Sequence, residues 1–181
     1  MISNGKFYES QFEEATIELL REAHWQYAFG DDIHRKYTDP LIEEDLRNFL
    51  AVQYKDKNLT TSEMDSIVAN LRNTGGQNDY YALRNTFLLY RDGYDFAYSD
   101  GRSNPFRLEY IDFEHPDHNI FRCVNQFVME QGRENRRPDI LLFINGIPVC
   151  IIELKNPTKQ NATIHDAHTQ ICTRYMRDIP A

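Results

Sequence analysis

Residues 136–157 read RRPDILLFINGIPVCIIELKNP. Two arginines lead into a run of apolar and β-branched residues that ends in a glutamate and a lysine two positions apart. Asn145-Gly146 separates DILLFI from VCIIELK, and Asn-Gly between two such runs is a strong signal for a β-hairpin. The loop length then decides which side chains meet. A strict two-residue turn sets Asp139 opposite Ile152 and leaves Glu153 on the other face. A three-residue loop, Asn145 to Ile147, pairs Ile144 with Pro148 and sets Asp139 opposite Glu153, because a slip of one residue reverses every side chain. Glu153 and Lys155 share a face in either register, since strand side chains alternate with period two.

In the three-residue register the two carboxylates would have Cβ atoms about 4.5–5.5 Å apart, near enough to share one divalent cation. Mg²⁺ takes few carboxylate oxygens and keeps several waters, which suits a two-carboxylate site at a sheet rim. A metal there polarises a phosphodiester and makes a nucleophile of its bound water. Lys155 would orient that water or stabilise the charge of the phosphorane. The plainer reading has Asp139 opening a strand after a proline turn, with Glu153 and Lys155 as solvated residues at a strand end.

Around this hairpin the chain changes character once. SQFEEATIELLREAHWQY has near-helical spacing of Phe12, Ile17, Leu19, Leu20 and Ala23, with Ser10 and Glu13 in capping-box order, and predicts a helix from about Ser10 to His24. DPLIEEDLRNFLAVQY, TTSEMDSIVANLRN and DYYALRNTFLLYRDG predict three more helices, the second capped by Thr60, Thr61 or Ser62 and the third stopped near Gly93. From about residue 94 to 155, FRLEYIDF, NIFRCVNQFVME, DILLFI and VCIIELK predict strands, and NATIHDAHTQICTRYMRDI returns to helical spacing. Helices, an antiparallel meander and a final helix make an α/β or α+β plan around one sheet.

The 181 residues have the composition of a soluble globular chain, for which one domain over 1–181 is expected. A net charge of −8 argues against holding nucleic acid by a broad basic surface, though a local basic or metal-assisted site is compatible with it. Cys123, Cys150 and Cys172 are odd in number and far apart, which suits buried free thiols and a reducing compartment. No targeting segment and no apolar run of about 18–20 residues is visible, so no membrane association and a cytoplasmic location are expected.

Pro138-Asp139 followed by Glu153-Leu154-Lys155 resembles the PD-(D/E)XK signature of metal-dependent nucleases. The longer RPDILLFINGIPVCIIELKNP is more specific. It resembles the nuclease motif at the N-terminus of the R (restriction) subunit of type I restriction-modification enzymes, with NIFRCVNQFVMEQ similar to the preceding strand and FEEATIELLREAHW to the first helix. The resemblance covers most of residues 8–180. It implies an α/β, restriction-endonuclease-like mixed sheet flanked by helices, with an N-terminal helical part, cutting double-stranded DNA with Mg²⁺. By the same resemblance Asp139, Glu153 and the backbone carbonyl of Leu154 match the metal ligands, Lys155 the catalytic lysine, and Glu13 the helix glutamate, with Glu9 and Glu14 nearby. Related nucleases often carry Gln-x-x-x-Tyr in the last helix, helping to place DNA or the lysine. Here Gln170 and Tyr175 are one residue farther apart, and positions i and i+5 of an α-helix do not stack. The resemblance also implies a longer subunit whose other domains use ATP to translocate DNA, acting with modification (M) and specificity (S) subunits. No GxxxxGK[ST] loop occurs in this chain.

Arg136 and Arg137, with Arg133 before them, precede the strand and would meet a DNA phosphate near the metal, or form a solvated loop. His115 with His118, and His165 with His168, lack a third ligand at convincing spacing and suit a surface. Tyr80 and Tyr81 suit core packing or half-buried placement better than base stacking. Two other functions fit the same residues. One is a free-standing nuclease of this superfamily acting in repair or recombination; the other is a catalytically silent DNA-binding or assembly module, in which Asp139 and Glu153 would point to opposite faces.

Overall fold

The computed structural model describes residues 9–74, 79–155 and 164–175. Along the chain run α1 (Glu9–Glu22), β1 (Gln26–Phe29), α2 (Glu43–Gln53), α3 (Thr61–Arg72), α4 (Asp79–Asp92), β2 (Tyr94–Phe96) and β3 (Phe106–Leu108). Then come β4 (Phe121–Asn125), β5 (Met129–Gln131), β6 (Glu134–Arg136), β7 (Ile140–Ile144), β8 (Ile147–Ile152) and α5 (Ile164–Thr169), which continues as a π-helical turn, Gln170–Tyr175. The chain is therefore mixed α/β, as the motif implies. It divides into two compact units, residues 1–40, 121–143 and 147–181, and residues 41–120 with 144–146. Among the described residues no helix is long and apolar enough to cross a membrane.

The first unit is built on a four-stranded mixed sheet in the order β1-β4-β7-β8. β1 runs parallel to β4, with Gln26 opposite Arg122 and Phe29 opposite Asn125. This parallel pair replaces the all-antiparallel meander expected from the strand order. Its partner is about a hundred residues away in sequence, and four residues directly after a helix carry no turn signal of their own. Trp25 packs on Phe121 with ring centroids 5.2 Å apart, and Phe127 packs on Phe143 at 5.0 Å. Cys123, Val124, Ile140, Leu141 and Ile147 are buried with them.

NIFRCVNQFVME, read as one strand, breaks at Gln126. Gln126 has a φ of +56°, a left-handed conformation that costs a non-glycine residue about 1–2 kcal/mol. Its backbone N–H donates to the carbonyl of Asp139 at 3.2 Å, and the chain turns away into the β5–β6 ribbon. Gly30 allows this close approach: a Cβ there would lie 2.4 Å from the Gln126 carbonyl oxygen. Helix α1 begins at Glu9, so Ser10 lies inside it and the expected Ser10–Glu13 capping box does not mark its start. Of the cysteines, Cys123 is buried and Cys150 and Cys172 are exposed, so burial holds for one of three. Cys150 lies on β8, the last strand in the sheet order, where Val149 on the opposite face is exposed as well.

The second unit packs α2, α3 and the β2–β3 ribbon around Leu46, Phe49, Leu50, Ile67, Val68, Leu108 and Tyr110, all buried. FRLEYIDF contributes only Phe106–Leu108 as strand, paired with β2; the rest is an irregular loop held by Tyr110, whose hydroxyl donates to the Ile67 carbonyl at 2.8 Å. Thr60 caps α3 in a full capping box with Glu63. Tyr80 and Tyr81 are exposed, not half-buried, their rings meeting edge to face at 5.4 Å.

Glu63 is almost fully buried, and Arg102 grips both of its carboxylate oxygens at 2.7 Å. The Arg102 guanidinium, together with the Thr60 N–H, holds the Glu63 carboxyl at about 2, well below its ordinary 4.5. A folded-state value below the unfolded one contributes stability at neutral pH that is lost as the pH falls from about 4.5 towards 2. Glu63→Gln should therefore lower the urea midpoint at pH 7, and the gap to the wild type should close across that acidic window. A gap that stays constant with pH would show that the carboxylate charge contributes nothing.

Candidate active site

The hairpin turn takes the two-residue form. Asn145 and Gly146 have φ of +51° and +75°, the pair of positive values a type I′ turn requires, between Ile144 at the end of β7 and Ile147 at the start of β8. Gly146 is obligatory at this spot, because a Cβ there would meet the Ile42 carbonyl oxygen at 2.1 Å. By strict alternation this register would part Asp139 from Glu153. The alternation stops short of both residues, however: β7 begins at Ile140 and β8 ends at Ile152. Beyond the ladder the Asp139 carboxylate turns onto the other strand's exit, where its Oδ2 accepts the Leu154 N–H at 2.7 Å. It thus lies against the peptide group that joins Glu153 to Leu154.

Glu153 has a side chain only 2% exposed. Two donors converge on its Oε2, the Gln170 Nε2 at 2.8 Å and the Lys155 Nζ at 3.5 Å. A buried carboxylate needs such partners, since leaving its charge uncompensated costs several kcal/mol. Lys155 is partly open to solvent, its side chain 23% exposed.

Glu13, on α1, belongs to a neighbouring set. Its Oε1 accepts from Asn125 Nδ2 at 2.9 Å and Gln126 Nε2 at 3.2 Å. The Tyr27 hydroxyl donates to Asn125 Oδ1 at 3.0 Å, which makes a chain from Tyr27 through Asn125 to Glu13. Burial first, and then the Glu13 carboxylate, push the Tyr27 phenol above its ordinary range. Glu14, by contrast, is exposed, and the side chain of Glu9 lies outside the described residues. Gln126 links the two sets, since its side chain holds Glu13 while its N–H holds the Asp139 carbonyl. Glu13, Asp139 and Glu153 do not bring three ligand atoms within 4.8 Å of one another.

Gln170, expected on the DNA side, instead donates to Glu153. The segment from Gln170 to Tyr175 winds as a π-helix, whose hydrogen bonds run from i to i+5, so the extra residue of QICTRY is taken up by a wider turn. The side chain of Tyr175 lies outside the described residues. Arg136 is half-buried and bonds Glu134 Oε2 at 3.0 Å and the Asn135 carbonyl at 2.6 Å, while Arg133 and Arg137 are exposed. His165 and His168 are exposed. Asn125 and Gln126 escaped the sequence reading because amides in a strand have no motif. Their only signal is a polar pair, Asn-Gln, between buried Val124 and Phe127.

As a donor set, Asp139 and Glu153 offer hard carboxylate oxygens at the open end of a hairpin. That chemistry fits Mg²⁺ and does not favour a soft or nitrogen-seeking ion.

Asp139→Ala removes the acceptor of the Leu154 N–H, whereas Asp139→Asn keeps an oxygen there. Amide exchange at Leu154 should quicken by about tenfold or more in the alanine variant, matching the roughly 1–1.5 kcal/mol of a lost hydrogen bond. It should stay near the wild-type rate in the asparagine variant. Equal protection in all three proteins would mean that this bond does not hold the hairpin end.

Comparison with known proteins agrees with the motif. The family described as "Type I restriction enzyme R protein N terminus" matches residues 6–181. The chain is 31% identical over 176 residues to the "Type I restriction enzyme HindI endonuclease subunit" of Haemophilus influenzae, covering 91% of this chain and 16% of that protein. It is also 31% identical over 176 residues to the "Putative type I restriction enzyme MjaIXP endonuclease subunit" of Methanocaldococcus jannaschii, covering 93% of this chain and 17% of that protein. It thus spans about a sixth of the length of these relatives. With its full-length family match and an α/β sheet carrying the hairpin motif, this chain belongs to the family of type I restriction enzyme R protein N-termini.

Proposed function

We propose that this chain is the nuclease part of a restriction-enzyme R subunit and hydrolyses phosphodiester bonds of double-stranded DNA with Mg²⁺. The observation that supports this reading is the bond from Leu154 N–H to Asp139 Oδ2, which sets one carboxylate against the peptide leading out of the other. Asp139, Glu153 and the Leu154 carbonyl would hold the ion. When bound, Mg²⁺ supplies Lewis acidity towards the phosphate and a water of lowered pKa.

The chain's own residues do the rest. Gln170, donating to Glu153 Oε2, holds that carboxylate in one orientation. Lys155, 3.5 Å from the same oxygen and partly open to solvent, positions the attacking water or offsets the negative charge that grows on the phosphorane oxygens. Glu13, held by Asn125 and Gln126, organises the approach from α1 and orders water beside the scissile group. Exposed Arg137, with Arg136 beside it, meets a DNA phosphate and supplies the local positive charge that an acidic chain otherwise lacks.

In this reading the domain spans residues 1–181 of a longer cytoplasmic subunit. Cleavage follows ATP-dependent translocation by other parts of that subunit, in a complex with modification (M) and specificity (S) subunits, and the specificity partner reads the DNA sequence. The test is Mg²⁺-dependent cleavage of supercoiled DNA by the intact subunit in its complex with ATP. Asp139→Ala and Lys155→Ala should each lower cleavage by about a hundredfold or more with ATP hydrolysis retained. Unchanged cleavage in both variants would overturn the assignment and leave this domain as a binding or assembly module.

A further inference from the structure

The irregular loop of residues 110–119, in the second unit, brings together three side chains that the proposed nuclease chemistry does not use. Asp112 is 5% exposed, and its Oδ1 accepts the N–H of Glu114 at 3.1 Å and of His115 at 2.8 Å. Its Oδ2 accepts from Gln53 Nε2 at 3.0 Å. Two imidazoles turn their Nδ1 atoms to the same carboxylate: His118 lies 3.0 Å from Oδ2 and His115 lies 3.7 Å from Oδ1. The rings stack with centroids 5.0 Å apart and planes at 18°. One ligand atom from each of the three residues lies within 4.8 Å of the others, and among the described residues no other set of three His, Cys, Asp or Glu side chains does so.

We propose that Asp112, His115 and His118 form a binding site for a divalent transition ion of the zinc class, built on different residues and a different donor set from Asp139 and Glu153. Two ligand atoms each 2.0–2.1 Å from a tetrahedral ion stand about 3.3 Å apart. The His118 Nδ1–Oδ2 separation of 3.0 Å and the His115 Nδ1–Oδ1 separation of 3.7 Å, each to its own oxygen of the one carboxylate, lie to either side of that value. Two imidazole nitrogens with one carboxylate oxygen select a borderline ion such as Zn²⁺ over Mg²⁺, which prefers oxygen alone. Three protein ligands leave a fourth position, and both exposed histidines leave it open to water.

The loop is held in this shape before any ion arrives. Asn119 accepts the Asp112 N–H at 2.9 Å and donates from Nδ2 to the carbonyls of Asp112 at 2.7 Å and Pro116 at 3.0 Å. Asn145 Nδ2 donates in turn to Asn119 Oδ1 at 2.8 Å. The cost of ordering ligands is therefore met by the fold itself.

Co²⁺ titration of the full 181-residue chain, followed by the visible d–d absorption of a four-coordinate site, tests this without any activity assay. The wild type and Asp139→Asn should both develop the band at one equivalent, and Zn²⁺ should abolish it. His118→Gln and the double variant His115→Gln with His118→Gln should bind Co²⁺ about tenfold more weakly or worse. Both histidines are exposed, so these variants should keep the metal-free thermal midpoint of the wild type. Absence of the band in the wild type, its survival in the double variant, or its loss in Asp139→Asn would each overturn the proposal.

Discussion

The hydrogen bond from Leu154 N–H to Asp139 Oδ2, 2.7 Å long, is the contact on which the candidate site depends. The β7–β8 hairpin is closed at one end by the Asn145-Gly146 turn and at the other by this side chain. Strand pairing has ended before it, so no ladder bond fixes the exit of β8. A charged acceptor does so instead, and charge-assisted bonds are roughly twice as strong as neutral ones. The Asp139 carbonyl meanwhile receives the Gln126 N–H, so the residue just after β4 is tied to the residue just before β7. Three strand ends are gathered in this way, with Glu153 and Lys155 just beyond β8 and Gln170 reaching Glu153 from the segment after α5.

The turn itself is specified as tightly as the site. Asn145 is fully buried, and both polar atoms of its side chain are bonded. Its Oδ1 accepts the Ile120 N–H at 2.7 Å while its own N–H donates to the Ile120 carbonyl at 2.8 Å. Its Nδ2 donates to the Tyr110 carbonyl at 2.9 Å and to Asn119 at 2.8 Å. Asparagine thus meets two demands at once, a left-handed backbone and a buried side-chain amide with three partners. Glycine would meet the first demand and fail the second. The register of the hairpin follows from this two-residue turn.

Much of this was legible in residues 136–157, where the apolar runs, the Asn-Gly turn and the spacing of Glu153 and Lys155 fixed the hairpin and the candidate carboxylates. Strand alternation does not reach Asp139 and Glu153, which both lie outside the ladder; there the Asp139 carboxylate turns to the Leu154 N–H. β1 was missed because a parallel partner 96 residues away, Gln26 to Arg122, leaves no local trace. The partners of Glu13 lie 112 and 113 residues on and could not be found by spacing. His115 and His118 were set aside for want of a third ligand, because Asp112 reaches them through a folded loop whose shape depends on Asn119. For Gln170 and Tyr175, α-helical spacing was assumed where the chain adopts a π turn.

Glu153 is a nearly buried carboxylate whose Oε2 receives the Lys155 ammonium and the Gln170 amide. A hard divalent cation between it and Asp139 would offset both negative charges. Mn²⁺, an oxygen-seeking paramagnetic stand-in for Mg²⁺, reports this directly in the ¹⁵N spectrum of the chain at substoichiometric concentration. The amide signals of Asp139, Glu153, Leu154 and Lys155 should broaden first, recover when excess Mg²⁺ is added, and stay sharp in Asp139→Asn. Sharp signals at these four residues in the wild type, or broadening that Asp139→Asn leaves unchanged, would contradict the account.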